Sequence, residues 1–293
     1  MVLKRTASLF FFFTLLLLFA CNGGKDKTPA TTPNTDSSDT AGTAVIRELP
    51  HVKTEPVEYE DGIKTFKSVM AFDSANPGKK PVVLIIPEWW GVTDYIKSRA
   101  KQIAELGYFA MVVDMYGNGK VIENPKEAGA EAMKYYKNPQ LAQERFDNAL
   151  AIAKSYQEAD TSKIAVIGYC FGGTMALNMA RLGEDLKGVV SFHGGLENYG
   201  ITARKGGIHP SILVLNGDAD SFVPVGVVND FKKEMEAANA NMQFIGYPNA
   251  KHAFTNPAAT AIGEKYKIDI RYDEAADKAS WEEMKKFLAK VFS

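Results

Sequence analysis

The sequence predicts an α/β fold, a mostly parallel sheet with helices on both faces. Two observations lead there. Apolar runs of strand length alternate along the chain with longer segments that repeat apolar residues at helical spacing. Several of the runs, Pro81 to Ile86 and Ile164 to Ile167 among them, have no polar interruption, as expected of strands buried on both faces. The length of 293 residues suits one large α/β domain and is too short for two of ordinary size.

In chain order, Val57 to Glu60 and Lys64 to Phe72 read as an antiparallel hairpin turning at Asp61-Gly62. Further strands are expected at Pro81 to Ile86, Phe109 to Val113, Ile164 to Ile167, Gly188 to Phe192, Ser211 to Leu215 and Gln243 to Tyr247. Helical spacing covers Tyr95 to Leu106, Asn138 to Tyr156, Phe171 to Leu182, Val225 to Ala238 and Asp273 to Val291. Ligands of such sheets bind beyond the carboxyl ends of the strands. The loops at those ends are therefore where chemistry is to be sought.

The first twenty residues read as a separate segment. Lys4 and Arg5 precede a twelve-residue apolar run, Leu9 to Ala20, of signal-peptide length and too short to span a bilayer comfortably. It ends in Leu18-Phe19-Ala20-Cys21, which resembles the lipobox of bacterial lipoproteins, with Phe19 where a smaller residue is usual. That resemblance implies acylation of Cys21 and a membrane anchor in a bacterial cell envelope, on its periplasmic or outer face. Several acyl chains hold a protein stably where one does not. Plain secretion with cleavage near Ala20 is the alternative. Residues 21–50, rich in Gly, Lys, Asp, Thr, Pro and Ser, read as a flexible tether, and residues 51–293 as the folded domain.

Charge narrows the partners. Lysine and arginine number 34 against 35 acidic residues, with no basic block of the kind that nucleic-acid binding requires. The two cysteines, Cys21 and Cys170, would make an odd disulfide between a tether and a domain core, so each is given its own role. Oligomeric state is not written in the sequence.

The richest stretch is Lys163 to Arg181. A buried-strand run enters Gly168-Tyr169-Cys170-Phe171-Gly172, and good helix formers follow. Strand, Gly-x-nucleophile-x-Gly, helix is the nucleophile elbow of the α/β-hydrolases, here with Cys in place of Ser. The flanking glycines leave room for a strained turn. Cys170 would stand at a helix N-terminus, where the backbone dipole favours negative charge on sulfur. Such a nucleophile needs a base, and the base an orienting acid, in the chain order nucleophile, acid, His. Beyond Ser211 to Leu215 two acids compete. Asp220 precedes the Phe-Val-Pro that enters the next helix, whereas Asp218 reads as a turn residue. His252 is the only histidine after Asp220. His193, closing a strand, reads as a supporting or merely structural residue, His51 lies at the edge of the tether, and His209 sits before Pro210 on a connection. The amides of Phe171 and Trp89 are the expected oxyanion donors, Trp89 from the loop Pro87 to Val92.

With these motifs in place, the chain resembles the dienelactone hydrolase family from about Glu55 to Ser293. The motifs are Pro-Glu-Trp-Trp-Gly at Pro87 to Gly91, Val-Val-Asp-Met-Tyr-Gly at Val112 to Gly117, Gly-Tyr-Cys-Phe-Gly-Gly at Gly168 to Gly173, Gly-Asp-Ala-Asp-Ser-Phe-Val-Pro from Gly217, and Ala-Lys-His-Ala-Phe from Ala250. A closing helix with Tyr272, Ala275, Ala276 and Trp281 completes them. The resemblance implies an α/β-hydrolase fold, a Cys170–Asp220–His252 triad, no cofactor, and a small ester or lactone as substrate. It also implies that Glu88 holds the resting thiol and swings aside when substrate binds. One departure stands out. Members that cleave dienelactone bind its carboxylate with arginines, and the position four residues beyond His252 is Asn256. The segment Gly117 to Lys120 offers no arginine either. Trp89, Trp90, Tyr116 and Phe222 point instead to an apolar or planar substrate. A non-catalytic envelope lipoprotein and a thiol-redox protein on the same fold are the rival readings, and the second lacks a resolving cysteine.

Overall fold

A computed structural model describes residues 50–293. The lipobox reading at Cys21 and the segments before residue 50 lie outside the described residues. Strands β1 (Val52–Glu60), β2 (Thr65–Asp73) and β3 (Lys80–Ile86) come first, then α1 (Asp94–Glu105), β4 (Phe109–Val112), α2 (Pro125–Lys137) and α3 (Pro139–Lys154). They are followed by β5 (Ala159–Tyr169), α4 (Phe171–Leu182), β6 (Gly188–Phe192), β7 (Ser211–Gly217), α5 (Val225–Ala237), β8 (Met242–Tyr247), α6 (Ala259–Tyr266) and α7 (Glu274–Val291). The strands form one eight-stranded sheet in the order β1-β2-β4-β3-β5-β6-β7-β8. β1 and β2 pair antiparallel, as do β2 and β4, while every pair from β4 to β8 is parallel. This is the α/β-hydrolase arrangement expected from the sequence.

Alternation along the central strands sends neighbouring side chains to opposite faces. Val82, Leu84 and Ile86 of β3 and Val166 of β5 join Phe146, Met175 and Phe231 in one apolar layer beneath α2 to α5. Val83, Ile85 and Ile167 join Ile96, Met284 and Leu288 in the other, beneath α1 and α7. Both faces of β3 are dry, which is why its sequence is an unbroken apolar run.

Four elements differ from the sequence expectation, one of them β5, which begins at Ala159, five residues before the expected Ile164. β1 starts at Val52, five residues early, and contains Pro56. It is an edge strand, where proline's missing N–H costs no ladder bond. α2 was not expected, although Asn124 caps it through the Lys126 and Glu127 amides and Pro125 opens it. Its burial is limited to Ala128, Ala132 and Tyr135, so the apolar stripe is thin. α6, eight residues long, was also not expected and has no side-chain cap.

Candidate active site

The site is built at the carboxyl ends of five strands. β5 ends at Tyr169 and passes directly into α4 through Cys170, which has φ 54° and ψ −118°. That left-handed backbone is costly for a residue with a Cβ and is held by its surroundings. The Cys170 N–H is shared between Phe192 O (3.0 Å) and His193 Nδ1 (3.1 Å), while its carbonyl accepts from the Gly173 N–H (2.9 Å). Gly172 passes so close to β3 that an added Cβ would strike the Ile86 carbonyl and stand 2.6 Å from the Pro87 oxygen. Gly168 faces the Gly172 carbonyl in the same way. The two glycines therefore have a steric reason to flank the elbow.

Three loops bring the other groups to the sulfur. His252, beyond β8, sets Nε2 2.9 Å from Cys170 Sγ and Nδ1 2.8 Å from Asp220 Oδ2. Asp220 is buried and its Oδ1 accepts the Phe222 N–H at 2.8 Å, so the carboxylate is oriented from its own loop. Asp218 is exposed and faces Asn216 and Gly246, away from the imidazole. Burial opposes a charged His252. The charge on the Cys170 sulfur and the hydrogen bond to Asp220 outweigh it, and the imidazole is held well above the usual histidine range.

The oxyanion donors expected from the sequence are both adjacent. Phe171 is the first residue of α4 and Trp89 follows β3. Neither amide donates to another group among the described residues. The Trp89 loop is pinned by Tyr116 Oη donating to Trp89 O (3.0 Å), by Gly91 N–H to Glu88 O (3.0 Å) and by Ile122 N–H to Trp90 O (2.9 Å).

Glu88 differs from the expectation. Its carboxyl is buried beside the site, yet no bond to Cys170 is made. Oε2 accepts from Asn256 Nδ2 at 2.7 Å, and Oε1 has no partner. The sulfur instead takes the imidazole. The amide of Asn256 offers a carboxyl group a donor, whereas a thiolate offers only repulsion. Burial is the main influence on Glu88 and pushes its pKa up to about 7, against the opposing effects of Asn256, His252 and Arg99. Asn256, which the sequence marked as the place of a missing arginine, is therefore the partner of Glu88.

Behind the elbow lies an arrangement that sequence reasoning missed. His193 is fully buried and burial, with His252 nearby, holds its pKa well below the usual range. Because Nδ1 accepts the Cys170 N–H, the ring proton is on Nε2, 2.7 Å from Thr255 Oγ1. Thr255 Oγ1 is 2.7 Å from Tyr95 Oη, and Arg99 reaches both Tyr95 Oη (3.3 Å) and Thr255 O (2.8 Å). The only sequence signal was a His closing a strand and a Thr three residues beyond His252.

A cavity of about 240 Å³ opens over Cys170 and His252. Trp89, Trp90, Tyr136, Tyr199 and Phe222 line it, with Glu88 and Glu197 as its carboxyl groups and no lysine or arginine. Tyr116, expected at the substrate, instead packs behind Trp89. Among the described residues no group of three or more His, Cys, Asp or Glu side chains could hold a metal ion.

A model of the dienelactone hydrolase family matches residues 67–292. The chain belongs to the dienelactone hydrolase family. It is 28% identical over 190 residues to a Methylorubrum extorquens protein provisionally named carboxymethylenebutenolidase, covering 61% of this chain and 65% of that one. An uncharacterized Caenorhabditis elegans protein is 35% identical over 150 residues, 51% of this chain and 93% of its own length. Among solved structures, a dienelactone hydrolase-like promiscuous phosphotriesterase from metagenomic libraries aligns with TM-score 0.76 and 31% identity, over 83% of this chain and 99% of that one. Membership and these relatives support an ester or lactone hydrolase.

Proposed function

We propose that this protein hydrolyses small carboxylic esters or lactones through a thioester on Cys170, without a cofactor. The observation that carries the reading is the continuous line Cys170 Sγ–His252 Nε2 (2.9 Å) and His252 Nδ1–Asp220 Oδ2 (2.8 Å) facing one cavity. In this reading the thiol proton resides on His252 Nε2 and the thiolate attacks the carbonyl carbon. The tetrahedral oxyanion takes the amides of Phe171 and Trp89. As the carbon–oxygen bond to the alcohol breaks, His252 gives its proton to the departing oxygen. Water then enters, loses a proton to Nε2 and attacks the thioester. Collapse expels the thiolate and releases the acid. Asp220 keeps the imidazole in the tautomer and orientation that both steps need.

The test is pre-steady-state hydrolysis of p-nitrophenyl acetate. A burst of p-nitrophenol near one equivalent per protein, absent from Cys170→Ala, is expected. Hydrolysis by Cys170→Ala at the wild-type rate would overturn the reading. A redox thiol or a binding module would give no burst at all.

The location is also proposed from the sequence: Leu18-Phe19-Ala20-Cys21 after a charged start and an apolar run supports lipidation of Cys21 and attachment to a bacterial envelope membrane. Mature protein from a bacterial host should carry the mass of acyl chains on Cys21 and partition into detergent. A mature terminus at any other residue, unmodified, would mean plain secretion.

A further inference from the structure

Part of the cavity wall is built from the connection that follows β6, which supplies Gly195, Glu197 and Tyr199. There Leu196 O accepts from Arg181 Nη2 at 3.0 Å, and the same guanidinium is paired with Glu234 (2.9 Å). Arg181 is buried, so this connection is fixed from behind. The carboxylate of Glu197 folds back over Gly195, where an added Cβ would lie 3.0 Å from Thr174 Oγ1 and 3.2 Å from Glu197 Oε2. Glu197 has no ion pair or hydrogen bond among the described residues, and it is only partly buried. Two residues on, Tyr199 adopts φ 47°, a left-handed backbone that is strained for a tyrosine. That turn lays its ring on Tyr136, with centroids 4.4 Å apart and planes 20° from parallel. Trp89 lines the same cavity.

An unpaired carboxylate beside aromatic faces, with no lysine or arginine in the lining, is the chemistry that attracts an ammonium group. A carboxylate-bearing substrate would meet the opposite situation. It would leave water for a wall that holds Glu197 and offers no lysine or arginine to pair with. We propose that Glu197, Tyr136 and Tyr199 form a subsite for a positively charged ammonium group, so that the preferred substrates are esters carrying a cation. This rests on the hydrolase reading above. The ester carbonyl sits at Cys170 and the cationic substituent extends along the cavity toward Glu197. The attraction of the aromatic faces adds to that of the carboxylate.

The test compares kcat/KM for three matched butyrate esters: choline, its uncharged 3,3-dimethylbutyl counterpart, and 3-hydroxypropanoate. The choline ester should exceed the uncharged one by about tenfold, and the anionic ester should be the poorest. Glu197→Gln should collapse the ratio of choline to uncharged ester toward one. Equal rates for choline and uncharged esters in the wild type, or an unchanged ratio in Glu197→Gln, would overturn the subsite. A measurement without turnover separates this from failure of the hydrolase reading. Phenyltrimethylammonium should quench tryptophan fluorescence of Cys170→Ala saturably, and binding should weaken about tenfold in the Cys170→Ala, Glu197→Gln protein. Saturable binding with no hydrolysis of any ester would sustain the subsite and sink the esterase. Hydrolysis of the uncharged ester without any binding of the probe would do the reverse.

Discussion

Glu88 has the least usual environment of any acidic side chain near Cys170. It is buried, one oxygen is bonded to Asn256, the other has no partner, and its pKa is pushed to about 7 mainly by burial. The folded state therefore keeps its proton over a pH range in which the unfolded chain has lost it. With a raised folded pKa on an acid, stability is fullest below the ordinary value of 4.5 and declines as pH rises toward about 7. The displacement corresponds to about 3 kcal/mol. Glu88→Gln mimics the protonated carboxyl and should remove this contribution. Urea unfolding at pH 4.5 and pH 8 should show wild type losing about 3 kcal/mol more than Glu88→Gln across that interval. Parallel pH dependences in the two proteins would mean that Glu88 titrates alike in the folded and unfolded chain and that its burial carries no such cost.

The element that matters most is the elbow from β5 into α4. Its geometry depends on backbone contacts that glycine alone permits, because the Gly172 Cα lies against the Ile86 and Pro87 carbonyls. Gly172→Ala should push α4 and Cys170 away from the Trp89 loop. Overpacking of this kind costs about 1–3 kcal/mol, and a displacement near 1 Å costs about a hundredfold in turnover. Activity should thus fall by about two orders of magnitude in protein that still melts cooperatively, as thermal unfolding and ester assays on one sample would record. Near-normal activity in Gly172→Ala would mean that the elbow tolerates a methyl group and is not set by this contact. Such local geometry was legible in advance: a strand, two glycines and a helix lie within one continuous stretch. The edge strand β1 and helix α2 were not, because Pro56 and a thin stripe of alanines mask the patterns by which strands and helices are read.

Across the whole molecule, the site is held together by Arg99. The buried guanidinium on α1 reaches Thr255 O on the His252 loop at 2.8 Å, bonds Asp277 on α7 and lies 5.1 Å from the Trp281 ring. It joins three segments far apart in sequence and supports Tyr95 and Thr255, the partners of His193. Arg99→Met should cost about 3–5 kcal/mol, since it leaves Asp277 without its cation. Denaturant unfolding of Arg99→Met beside Asp277→Asn would test it; loss below about 0.5 kcal/mol would assign the pair no structural role. This network explains where sequence reading stopped. Cys170, Asp220 and His252, which the structure brings within hydrogen-bond distance in one line, could be named from sequence because each sits in a local motif and the three occur in a fixed order along the chain. The bond between Glu88 and Asn256, and the line from His193 through Thr255 to Tyr95, join residues 168, 62 and 160 positions apart. No local pattern encodes such pairs. Only the packing of the strand-end loops brings them together.

The central claim is that the sulfur of Cys170 becomes covalently acylated during turnover. Protein mixed with p-nitrophenyl butyrate and quenched in acid within the burst should gain the mass of one butyryl group. Peptide mapping should then find that group on the fragment containing Cys170, with no gain in Cys170→Ala. A burst of p-nitrophenol without any acyl group on Cys170, or with the acyl group on another residue, would contradict the mechanism at its first step.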